Sequence, residues 1–152
     1  MSFQERDVIL YRDKYYELEQ NPLTGYLDTH NENYVFVMDR STLVKGYAAQ
    51  WVLGTDNKLY LTALQGNIME KPFDYPYKTI KWSARISTKV QPVAVSNFFT
   101  GRIEAMATWF TGELKLYDGL VEGYPGSFMA KYESIVILKI EHGILMEAFT
   151  LD

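Results

Sequence analysis

A chain of 152 residues with 47% hydrophobic content is the size of one domain, residues 1–152, and can bury a core without metal or disulfide staples. It contains no cysteine, which excludes disulfides, thiolate nucleophiles and Cys-based zinc sites, and fits a cytoplasmic location. The net charge of −4 argues against general polyanion binding, and it is unevenly spread: residues 1–40 and 101–152 each carry eight acids against four bases, whereas residues 41–100 carry three acids against seven bases.

Charges interrupt every apolar run of the N-terminal stretch MSFQERDVILYRDKYY, so it has no signal-peptide core. No later run approaches the roughly 20 apolar residues of a membrane span, and a soluble, unexported protein is the expectation. Val8–Tyr11 and Tyr15–Leu18 read as a first hairpin around Arg12, Asp13 and Lys14. Residues 19–33 contain Asn21-Pro22, Gly25 and the polar run Asp28 to Asn33, a density of turn formers that predicts a surface loop. Tyr34–Met38 is apolar on both faces, as a central strand is.

Val44–Leu53 and Lys58–Leu64 flank Gly54 to Asn57 and predict a hairpin with a four-residue turn. Residues 65–77, with Gly66, Pro72 and Pro76, read as a packed loop holding Phe73, Tyr75 and Tyr77. Thr79–Val90 alternates: Ile80, Trp82, Ala84 and Ile86 share one face, while Lys81, Ser83, Arg85, Ser87 and Lys89 share the other, predicting a half-exposed strand with a cationic face. A short helix is expected within Val95–Phe99. Residues 103–110 are ambiguous between helix and strand; we read a strand that turns at Thr111-Gly112 and leaves through Leu114 and Leu116. Residues 118–131, with Gly119, Gly123, Tyr124, Pro125, Gly126 and Phe128, read as a loop, and residues 132–141 and 144–151 as a closing hairpin around His142-Gly143.

About nine or ten short strands, mostly joined as hairpins, predict an all-β, mainly antiparallel fold with at most one or two short helices, packed as a β-barrel or a strongly curved sandwich. Trp51 before Gly54 and Trp109 before Gly112 occupy parallel places in two predicted hairpins, so both tryptophans are expected to be buried anchors of one core. Positive φ is expected at Gly112 and Gly143.

Gly46-Tyr47 with Trp51, the run Lys58 to Leu61, the run Trp109 to Leu114, and Gly123-Tyr124 followed by Tyr132-Glu133 resemble a set of small uncharacterised bacterial β-rich proteins that carry a WF(S/T)GEL motif. The resemblance covers most of the chain from Val8 onward. It supplies no catalytic residue, and it implies a small bacterial β protein with an association to toxin-immunity neighbourhoods.

Candidate chemistry is sparse. Glu113 and Glu133 at strand ends would support acid-base work only if they converged in a barrel mouth and one were desolvated; solvated strand-end charges are the simpler reading. His30 and His142 have no neighbouring ligand at a recognised metal-binding spacing, so no metal is expected. GxSxG, SxxK and Gly-rich phosphate motifs are absent from the chain, and neither a cofactor nor an enzyme is expected.

The best binding feature is the cationic face of Lys81, Arg85 and Lys89, with Lys71 and Lys78 ahead of it and Tyr75, Tyr77 and Trp82 interleaved. Its simplest structural explanation is an edge strand protected from aggregation by lysines. Packing accounts for most of the 12 tyrosines. Two functions fit: a protein-binding module for an acidic partner, most concretely an immunity protein that occludes a bacterial toxin, or a carrier whose barrel encloses a small apolar ligand against Trp51, Trp109 and tyrosines. Single-stranded nucleic acid ranks behind both. The partner's identity and the oligomeric state are not encoded legibly.

Overall fold

The computed structural model describes residues 4–123 and 131–151. Strands β1 (Val8–Tyr11) and β2 (Lys14–Leu18) form the expected hairpin. Its turn is tighter than three residues, because Arg12 and Asp13 alone reverse the chain at φ 50° and 64°, a primed geometry whose twist suits the strands on either side.

The surface loop expected for residues 19–33 is instead a helix, α1 (Pro22–His30). Pro22 opens it, where the missing N–H would have had no intrahelical partner. Leu23, Tyr26 and Leu27 recur at helical spacing and face the core, with Leu23 fully buried. Asn31 ends the helix, its backbone N–H donating to the Leu27 carbonyl at 3.1 Å. The turn formers at Gly25, Asp28 and Thr29 are simply on its exposed side.

β3 (Tyr34–Met38) is the expected central strand, paired on both sides, with Val35, Phe36 and Val37 buried. β4 (Tyr47–Leu53) and β5 (Leu59–Glu70) form the expected hairpin, closed by Gly54 N–H donating to the Lys58 carbonyl at 2.9 Å and by Asn57 at φ 63°.

β5 runs six residues past its expected end at Leu64, through much of the predicted packed loop. Gly66 is the reason. There β5 leaves β4 and joins β3: Tyr47 pairs with Gly66, and Val37 with Asn67. A Cβ on Gly66, which sits at φ 137°, would lie 2.4 Å from the Gly46 carbonyl oxygen. Gly66→Ala is therefore expected to cost about 2 kcal/mol or more, read as a lowered urea midpoint. An unchanged midpoint would show that the two backbones separate freely here.

β6 (Thr79–Lys81) runs parallel to β3 and is all that remains of the strand expected over residues 79–90. Residues 83–86 turn, and a 3-10 turn covers Ser87–Lys89. Ile80, Ile86 and Val90 still pack together, over Val35, Val37 and Met69, but through a folded-back segment and not along one strand face.

β7 (Gln91–Pro92), a 3-10 turn at Val95–Asn97 where a short helix was expected, and β8 (Ala105–Met106) follow. The strand expected over residues 103–110 is thus two residues long, with Ile103 exposed and Phe110 N–H bonded back to Ala107 at 3.0 Å. No hairpin forms at Thr111-Gly112. Gly112, at φ 159°, begins β9 (Gly112–Glu122), which pairs with β2 and with β10 (Lys131–Glu141). Residues 118–122 belong to β9, whereas Tyr124 and Phe128 of the predicted loop lie outside the described residues. β11 (Ile144–Leu151) completes the closing hairpin around His142 and Gly143, at φ 49° and 79°.

The architecture is all-β, with one nine-residue helix among the described residues. The eleven strands pair in the order β11-β10-β9-β2-β1-β4-β5-β3-β6, with β7 and β8 also on β5. The sheet is mixed, since β1–β4 and β3–β6 are parallel. Its path has two ends, so it is not a closed barrel. The tips of the two long hairpins nevertheless touch: Leu59 N–H donates to Gly143 at 2.8 Å and Leu145 N–H to Asn57 at 2.7 Å. Ile9, Leu18, Trp51, Leu59, Leu61, Leu114, Leu116 and Leu138 fill the main core. Among the described residues no helix is long and apolar enough to cross a membrane.

Candidate functional site

The cations predicted for one strand face are distributed over three pieces of chain: Lys81 ends β6, Arg85 sits in the following turn and Lys89 ends the 3-10 turn. All three remain exposed. Among the described residues neither they nor Lys71 forms an ion pair. Large apolar side chains accompany them: Phe73 is 94% exposed, Tyr77 67% and Trp82 48%. Tyr75 and Lys78 behave differently. Tyr75 packs on the Val35–Val37–Met69 cluster and donates its hydroxyl to the Thr79 carbonyl at 2.8 Å, while Lys78 is ion-paired with Asp28 of α1. β6 is an edge strand, so edge protection accounts for Lys81, but Lys71, Arg85 and Lys89 lie off that strand and are not explained by it.

Trp51 and Trp109 do meet in one core, with ring centroids 6.3 Å apart, although only Trp51 lies in a hairpin. Trp51 is 1% exposed. Trp109 is half-buried, stacked on Phe99, tilted against Tyr26, and donates its indole N–H to the Pro22 carbonyl at 2.8 Å. The Trp51 indole N–H reaches Asp7 Oδ2 at 3.0 Å. Asp7, which the sequence reading passed over, is fully buried. Its Oδ1 accepts from Lys45 Nζ at 2.7 Å and from the Ala49 backbone N–H at 3.0 Å. The one sequence signal for it was an acid directly before an apolar strand.

A second missed feature is a cleft of about 320 Å³ beside α1. Thr24, Leu27, Asp28 and Asn31, spaced i, i+3, i+4 and i+7, supply one helical face as its wall. Tyr34, Phe36 and Tyr47, the segment Pro76–Thr79, and Lys45 and Lys71 supply the rest. Tyr47 shares a 2.9 Å hydrogen bond with the Thr24 hydroxyl, and burial raises its phenol well above the ordinary tyrosine range. Neither tryptophan lines the cleft; the interior expected to hold an apolar ligand is packed by Trp51 and its neighbours.

Glu113 and Glu133 do not converge. Glu113 lies opposite Lys139, whereas Glu133 lies beside Gly119. Six residues of strand separate the two places, roughly 20 Å. His30 stacks flat on Tyr26 at 4.2 Å and His142 sits in a turn; among the described residues no group of three His, Asp or Glu side chains is placed to hold a metal ion. Comparisons with protein-family models, curated proteins and solved structures find no match to the chain.

Proposed function

We propose that the protein is a non-enzymatic binding module whose contact surface is the segment from Lys71 to Lys89 and whose partner is a protein with an acidic surface. The observation that carries this reading is the coincidence of Phe73, Tyr77 and Trp82, all exposed, with Lys71, Lys81, Arg85 and Lys89, all without an ion-pair partner among the described residues. Exposed aromatics next to unpaired cations match the composition of interface hot spots, where rigid rings bury area at little entropic cost and the charges steer encounter. The acidic stretches, residues 1–40 and 101–152, repel an acidic partner and so favour its docking on the basic segment alone. An immunity protein that occludes a cognate bacterial toxin in the cytoplasm is the concrete form of such a module, and it needs stable shape and charge pattern with no reacting groups.

The test compares wild type with the triple variant Lys81→Glu, Arg85→Glu, Lys89→Glu and with Trp82→Ala. All are on exposed positions and are expected to melt as wild type does. A partner captured by native pull-down is expected to associate with the triple variant about tenfold or more slowly at low salt, the difference shrinking as salt rises. Trp82→Ala is expected to speed dissociation of the same complex. Unchanged association of the triple variant at every salt concentration would end this reading.

A further inference from the structure

We infer that the cleft beside α1 is a binding site for a small molecule with a flat apolar body and a single anionic group. The inference goes beyond the protein-binding reading, with which it shares Lys71 and Tyr77: its occupant is small, and most of the cleft lies outside the Lys71–Lys89 segment.

Size comes first. About 320 Å³ is at the lower end of the volumes that hold small ligands, suited to a compound of one or two rings. The walls define the body of the ligand: Leu27, Tyr34, Phe36, Tyr47 and Tyr77 present mainly carbon and ring surface. Some of the polar atoms among them are already bonded to one another. The Thr24 and Tyr47 hydroxyls bond to each other at 2.9 Å, and the Asn31 amide is held by the Tyr34 backbone, accepting at 3.2 Å and donating at 3.0 Å.

The charges define the remaining group. Three ammonium side chains, Lys45, Lys71 and Lys78, line the cleft against one carboxylate, Asp28. Lys78 and Asp28 cancel by pairing with each other. Lys45 is matched in charge by Asp7 behind it; its ammonium donates to Asp7 at 2.7 Å and Asn21 at 2.5 Å and lies 4.5 Å over the Tyr47 ring, a weaker contact that a ligand oxygen could replace. Lys71 has no ion-pair partner among the described residues. One uncompensated positive charge on Lys71 and a third donor on Lys45 held only by the Tyr47 ring suit one carboxylate-like group. A dianion would meet Asp28 without a matching second charge, and a cation would meet the lysines.

The probes are benzoate and its neutral counterpart benzyl alcohol, titrated into the full chain and followed by backbone and side-chain NMR shifts. Benzoate is expected to give saturable shifts concentrated at Thr24, Leu27, Tyr34, Lys71 and Tyr77, and benzyl alcohol to bind about tenfold more weakly, the worth of one charge-assisted hydrogen bond. Lys71→Met, an exposed substitution, is expected to remove most of that preference while leaving the melting temperature unchanged. Tyr77→Ala is expected to weaken both probes. Non-saturable shifts, shifts centred elsewhere, equal binding of benzyl alcohol, or a Lys71→Met protein that keeps the full preference would each overturn the assignment. The Lys81, Arg85, Lys89 triple variant changes no residue of the cleft and is expected to bind benzoate as wild type does, so failure here and failure of the partner-binding reading are told apart.

Discussion

Replacing Asp7 by Ala is expected to cost about 3 to 5 kcal/mol, the range for breaking a buried ion pair by removing one member. The carboxylate is fully buried and is the common acceptor for three donors from one neighbouring stretch of chain: the Lys45 ammonium, the Ala49 backbone N–H and the Trp51 indole N–H. Alanine leaves all three without that acceptor; the Ala49 and Trp51 donors are buried, and each buried unpaired donor costs about 1 to 3 kcal/mol by itself, whereas the Lys45 ammonium keeps Asn21 and reaches solvent. Lys45→Met should also destabilise, because it strands the charge on Asp7, and the two changes should be strongly non-additive, with the double variant Asp7→Ala, Lys45→Met losing much less than the sum of the two single losses. Urea unfolding followed by tryptophan fluorescence measures all of them. A midpoint for Asp7→Ala equal to wild type would mean that the network contributes nothing, and a strictly additive double variant would mean that the two residues act separately.

Trp51→Ala is expected to have a comparable effect, about 3 to 5 kcal/mol, by the cavity it would leave in the main core. The ring is 1% exposed and sits among Ile9, Leu59, Leu61 and the edge of Trp109. Trp51→Phe separates the two contributions of the side chain, since it keeps most of the volume and removes the donor to Asp7; a loss of about 1 to 2 kcal/mol is expected. Trp109→Ala should cost less than Trp51→Ala, because Trp109 is only half-buried and packs at the rim formed by Tyr26 and Phe99. The ranking of the two alanine variants by unfolding midpoint checks the assignment, and a larger loss at Trp109 would contradict it.

Three hairpins were legible from residues alone: β1–β2 around Arg12-Asp13, β4–β5 around Gly54–Asn57, and β10–β11 around His142-Gly143. In each, a few residues that tolerate positive φ stand between alternating or apolar runs, and that information is contained within about 20 residues. The all-β class follows from the same local signals. What tertiary structure decided depends on contacts distant along the chain. Pro22–His30 is helical because Leu23 and Leu27 find a core to cover, despite a composition suited to a loop. The extension of β5 past Gly66 depends on β3 being there to receive it. The run from Trp109 to Tyr117 has the local outline of a hairpin, yet β9 pairs along most of its length with β10, and at Leu116 and Tyr117 with β2.

The same division runs through the candidate sites. Residue type and charge pattern marked Lys81, Trp82, Arg85 and Lys89 as candidate binding residues, and all four are exposed; the two-faced strand expected for them did not survive, since the chain folds back after Lys81 and leaves Trp82 and Ala84 of the expected apolar face exposed. Asp7 and the cleft beside α1 were beyond the reach of the sequence for one reason. Asp7 meets its partners at separations of 38 to 44 residues, and the cleft draws its lining from Thr24 to Thr79, so neither exists until the sheet has set its register.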